Sequence, residues 1–112
     1  MIINKTKKVT LAEEVILAAT AIKRMKGLLG LRKLNDKSAM VIKPCNSIHT
    51  FFMRFPIDVL FVDKYGKVIK AIANILPFRV SPVCFRSYFV IELPAGVIKS
   101  TLTAVGDQLI LE

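Results

Sequence analysis

The sequence predicts an α+β domain that is mainly β: a small curled or closed, barrel-like sheet with one or two short helices packed outside. Three observations carry this. Runs rich in β-branched and aromatic residues recur from Ser38 onward. Several are apolar on both alternating faces, with Ile57, Val59 and Phe61 on one and Leu60 and Val62 on the other, so such a strand must be covered on both sides. Finally, 112 residues, 54% of them hydrophobic, suit one domain with one core and exclude intrinsic disorder. The chain is read as a single domain over 1–112.

Taken in order, residues 1–8 read as a basic N-terminal strand or edge. Val9–Ala12 and Glu14–Ala18 are short and β-branched enough for strands, although the Ala-rich stretch 12–29 also suits a helix. The sequence favours strand to about Ala18, then a helix over 21–28 with Thr20 as N-cap and Ile22, Met25 and Leu29 at helical spacing. Gly27 and Gly30 weaken and end it. Residues 39–42 form an apolar run stopped by Pro44, which cannot donate to a ladder. Strands follow at 48–53 and Ile57–Val62. Asp63-Lys64-Tyr65-Gly66 is a tight turn, returning the chain through 67–75 as a hairpin. An irregular loop holds Pro77, Phe78, Arg79, Pro82 and Phe85. A strand at 88–93, a short helix at Val97–Thr101, a turn at Gly106-Asp107 and a strand at Leu109–Leu111 complete the chain.

The net charge of +9, from 17 Lys and Arg against 8 Asp and Glu, favours anionic partners through its long-range field. Residues 1–37 hold nine of the cations and three of the acids. That front end suits nucleic acid, anionic lipid or an acidic protein, while Lys5, Lys7 and Lys8 serve equally as a solubilising edge. Cys45 and Cys84 make no CxxC and have no clustered His, so neither a metal nor a cofactor is expected. Two reduced thiols are the default over one disulfide. The first ten residues lack a signal-peptide pattern and no apolar run is long enough to span a bilayer, so the expected compartment is the cytoplasm.

One stretch stands out chemically, PCNSIHTFFMRFPIDVLFVD at 44–63. Cys45, Asn46, His49, Thr50, Arg54 and Asp58 sit there among large hydrophobes. Alternation places His49 with Phe51 and Met53, and Asp58 with Leu60 and Val62. A carboxylate on an apolar face costs several kcal/mol unless it finds a partner. Asp58 is therefore expected to pair with Arg54 or His49, or to accept backbone N–H groups from the turn at 54–56. The candidate polar cluster is Cys45, His49, Thr50, Met53, Arg54 and Asp58.

Three functions compete for it. The first is a small non-catalytic ligand-binding or accessory domain with a polar site around His49, Arg54 and Asp58. There, Phe51, Phe52, Met53, Phe55, Phe78 and Phe85 line an apolar cleft, unless they are plain core. The second is a hydrolase or transferase using His49 with Asp58 or Cys45; the single His and the absence of any phosphate loop or nucleophile elbow weigh against catalysis. The third is nucleic-acid binding through the basic surface, which requires exposed aromatics interleaved with Lys and Arg. Tyr65-Gly66-Lys67 and Phe78-Arg79 are compatible with it.

The segments RMKGLLG (24–30), PCNSIHTFFMRFPIDVLFVD (44–63), LPFR (76–79), ELPAG (92–96) and Gly106-Asp107 together resemble the uncharacterised ACR family, domain of unknown function 192, over about 9–112. The resemblance implies a β-rich single domain and supplies no activity, substrate or cofactor. Its motif positions fall here on Gly27, Leu28, Cys45, His49, Thr50, Met53, Pro56, Ile57, Asp58, Glu92, Leu93, Pro94, Gly96, Gly106 and Asp107. Cys84 lies outside the motif, which counts against a disulfide. Leu29 and Phe78 stand where relatives look more like Met or Trp.

Overall fold

A computed structural model describes residues 1–18, 36–48, 50 and 55–112. Within them the chain forms β1 (Ile2–Asn4), β2 (Val9–Ala12), β3 (Glu14–Ala18), β4 (Ser38–Ile42), β5 (Ile57–Val62), β6 (Val68–Ile75), β7 (Phe89–Pro94), one short helix α1 (Val97–Thr101) and β8 (Leu109–Leu111). The molecule is mainly β, in two sheets. One has the order β2-β1-β8 and the other β3-β4-β7-β5-β6. All pairings are antiparallel except β3 with β4.

The two-faced strands are covered on both sides, as their composition requires. Met40, Ile42, Ile57, Val59, Phe61 and Val90 build one apolar cluster with Ile48, Phe55 and Ile75. On the opposite face Val41, Leu60, Val62, Ile91 and Leu93 meet Ile2, Leu11 and Leu109 of the smaller sheet. Each fully buried side chain of this size contributes roughly 1.5–3 kcal/mol. A one-residue slip of β5 would trade these side chains between faces and move Asp58 with them, so the register is fixed.

The β5–β6 hairpin forms around the expected turn. Gly66 N–H donates to the Asp63 carbonyl at 3.1 Å, and Asp63 Oδ1 accepts from Tyr65 N and Lys67 N at 2.9 Å each. Gly66 has φ +87°, and a Cβ there would lie 2.7 Å from the Leu109 carbonyl oxygen. Glycine serves both the left-handed turn and the close approach of β8.

Several expectations need correction. Of the strand or edge expected at 1–8, residues 2–4 form a strand and not an edge: β1 is the middle of its sheet, paired with β2 on one side and β8 on the other. Ile48 and Thr50 lie in no strand; Ile48 exchanges bonds with Ser81, and Thr50 with Leu76, Phe78 and Arg79, because the 76–88 loop meets them at separate points rather than along a ladder. The remainder of the expected 48–53 strand, and the 21–28 helix, fall outside the described residues. The strand expected at 67–75 begins at Val68 and the one at 88–93 lies at Phe89–Pro94. Among the described residues the strand pairings close no ring.

Candidate functional site

The described members of the predicted cluster do not converge. Asp58 is fully buried on β5 and faces the smaller sheet's side, with Leu60 and Val62. Its Oδ1 accepts from Asn74 N at 2.8 Å, and its Oδ2 from Gly96 N at 3.1 Å and Ile98 N at 2.8 Å. Gly96, the residue preceding α1, has no side chain to cap the helix. Asp58 therefore supplies from a neighbouring strand the acceptor that a capping Asp would supply locally. These donors are remote amides, because β6 and the Gly96 turn flank β5; the expected partners His49 and Arg54 lie outside the described residues.

Cys45 packs on the other face of the sheet, against the first cluster. Its thiol donates to the Ser47 carbonyl at 3.0 Å and its amide to the Tyr88 carbonyl at 3.0 Å. Cys84 is reached through the neighbouring residue, since its amide donates to the Asn46 carbonyl at 2.8 Å; no disulfide joins the two cysteines. Thr50 is fully buried. Its hydroxyl donates to the Leu76 carbonyl at 2.6 Å and accepts from Arg79 N at 2.8 Å, latching the start of the 76–88 loop. His49, Met53 and Arg54 lie outside the described residues.

Two further buried polar features bear on the site. Glu92, on β7, is fully buried and registers with Met40 on one side and Val59 on the other, which places it on the first cluster's face. An acid inside FVIELP was the readable signal for it. The second feature joins the chain's two ends. Asp107 accepts from Asn4 Nδ2 at 2.9 Å, from Lys7 Nζ at 2.9 Å and from Ala104 N at 3.0 Å. Burial pushes its carboxyl up, but the bonds from Asn4, Lys7 and Ala104 and the Lys7 charge outweigh that and hold it below its ordinary 3.8. The Lys7 ammonium thus already has an intramolecular partner at the surface.

Exposed aromatic and basic side chains gather on a different surface. The 76–88 loop runs against residues 45–50 through single backbone bonds and turns its large side chains outward, with Phe78 60% and Phe85 89% exposed. Phe55, by contrast, is core. Phe85 and Arg86 line two adjoining clefts. One, of about 520 Å³, also carries Lys70, Cys84 and Val105; the other, of about 480 Å³, carries Lys64, Tyr65 and Tyr88. The ammonium of Lys64 stands 5.2 Å from the Tyr65 ring centre, and that of Lys43 stands 5.0 Å from that of Tyr88. Asp63 also borders the second cleft, but one of its oxygens already serves the turn. Among the described residues no three metal-ligating side chains cluster, and no helix is long and apolar enough to cross a membrane.

The family model described as Uncharacterized ACR, domain of unknown function 192, matches residues 2–111. The chain belongs to this family. It is 34% identical over 115 residues to a UPF0127 protein of Pyrococcus horikoshii, covering 97% of this chain and 96% of that one. It is 32% identical over 113 residues to a UPF0127 protein of Thermococcus sibiricus, covering 97% and 73%. A protein of unknown function from Novosphingobium aromaticivorans has a similar fold, with a TM-score of 0.76 at 23% identity over 87% of this chain and 74% of that one. Family membership thus secures the fold and assigns no activity. The match begins at residue 2 rather than near 9, so β1 is part of the family's domain.

Proposed function

We propose that the protein is a small non-catalytic binding domain whose working surface is the basic, aromatic face built by the 76–88 loop and the Asp63–Gly66 turn, and that it takes an anionic partner. The observation that carries this is Phe85, the most exposed large hydrophobic side chain among the described residues, standing between clefts that Lys64, Lys70 and Arg86 border. A polar ligand site around Asp58 is less well supported, because its carboxylate already accepts three backbone amides. The same bonds argue against a His–Asp couple. The experiment is binding to immobilised heparin, a polyanion without bases. Retention should fall steeply as salt rises, and Lys64→Gln with Arg86→Gln should weaken it. Retention indifferent to both changes would refute the reading.

Two finer structural readings accompany it. Leu109 N donates to the Gly66 carbonyl and Val68 N to the Asp107 carbonyl. A bridge pairs Lys67 with Gln108, and Glu13 alone separates β2 from β3. These links support one strongly curled, barrel-like sheet. Two cysteines without a disulfide support a reducing compartment such as the cytoplasm.

A further inference from the structure

We infer that the two clefts around Phe85 form a binding site for single-stranded nucleic acid, with unpaired bases stacking on the Phe85 and tyrosine rings and phosphates meeting Lys70, Arg86 and Lys64. This rests on the anionic-partner reading above and narrows it. Charge alone suits any polyanion; the aromatics discriminate. Phe85 is 89% exposed, Tyr65 74% and Tyr88 43%, and all three rings border one cleft with Lys64 and Arg86. An exposed ring flanked by cations is the arrangement that binds bases without regard to sequence, because every base has a π-face. A duplex hides those faces within its stack. The 480 Å³ cleft is bounded by Tyr65 on the hairpin turn and by Phe85 and Tyr88 on the loop, with Lys64 and Arg86 beside them. Its neighbour shares Phe85 and Arg86 and adds Lys70. A strand lying across the Phe85 ridge would meet a basic cleft on each side. An anionic bilayer is a weaker fit, because the rings line concave, charge-lined clefts rather than one continuous apolar tip.

The chain supplies its own reporter. It contains no Trp and two Tyr, and both tyrosines border the same cleft. Tyrosine emission therefore reads this face alone. Titration with an oligouridine of roughly 12 nucleotides, within the site sizes such grooves cover, should quench that emission. The apparent affinity should fall as salt rises, and Phe85→Ala should weaken it about fivefold or more, the loss of one stacked base. Phe85 touches too little of the core to threaten folding, and an unchanged melting temperature for the variant verifies this. Heparin binding without oligouridine quenching, or equal affinity for a duplex of the same length, would overturn the inference while leaving the anionic-partner reading standing. Phe85-dependent binding to phosphatidylglycerol vesicles with no response to oligouridine would overturn it in favour of a membrane surface. Loss of heparin and oligouridine binding together would remove both readings.

Discussion

The Asp58 carboxylate and the Ile98 amide, forty positions apart in the chain, are joined by a 2.8 Å hydrogen bond that starts helix α1. The same carboxylate also holds Asn74 on β6 and Gly96 before the helix. One side chain thus fixes a strand, a turn and a helix to each other. Three backbone amides satisfy this buried carboxylate.

Asp58→Ala is therefore expected to destabilise the protein rather than silence a binding site. Each buried amide left without an acceptor costs about 1–3 kcal/mol, against a total stability of about 5–15 kcal/mol for a domain. Asp58→Asn should fare little better, because its NH₂ would face amide donors. Urea unfolding of both variants checks this. A well-folded Asp58→Ala that has lost binding would restore the ligand-site reading.

Asp107 gives the stability a pH dependence with a definite sign. Its folded carboxyl titrates below the ordinary value of 3.8, so folding favours the ionised form. That contribution is fully present above the ordinary value and is lost as pH falls through the lowered folded one. Asp107→Asn should flatten this part of the profile, and Lys7→Met should shrink it. Urea midpoints from pH 7 down into the acid range test both; an unchanged acid limb in Asp107→Asn would refute the assignment.

Gly66→Ala should cost roughly 1–3 kcal/mol for a left-handed non-glycine residue, with more added by the approach of the Leu109 carbonyl. The comparison that separates the two terms is Gly66→Asn, which tolerates the left-handed region better but still carries a Cβ. If Asn restores full stability, the close approach is not limiting.

Thr50→Val keeps shape but removes a buried hydroxyl that serves the Leu76 carbonyl and the Arg79 amide. A loss of about 1–3 kcal/mol per orphaned group is expected, and it should be local. Hydrogen exchange should quicken at Arg79 and Phe78 while β5 and β7 amides stay protected. Uniform acceleration across the sheet would show that the latch supports the whole domain instead.

What the sequence made legible was what is written locally. The Asp63–Gly66 turn, the runs at Ile57–Val62 and Leu109–Leu111 and the short helix at Val97–Thr101 carry their own turn residues and periodicity. The failures share a cause. Asp58's donors come from Asn74, Gly96 and Ile98, and β1's second neighbour comes from residues 109–111; neither partner lies within any local window. Glu92 stands out as an acid within an apolar run, but its burial between Met40 and Val59 depends on strands distant in sequence. Whether Phe55, Phe78 and Phe85 were core or surface was equally undecidable from spacing. Phe55 is buried and the other two stand outside, where the loop's backbone is bonded at intervals.

The placement of β1 between β2 and β8 also dictates an order of events. Residues 2–4 are synthesised well before their partners at 109–111, so the smaller sheet closes a very long loop. Closure over such a separation is entropically slow. During translation β1 must wait for its second strand partner until residues 109–111 have left the ribosome. A ribosome-bound chain halted before Leu109 should therefore hold its first two strands unprotected, an early window in which chaperones or proteases would find it.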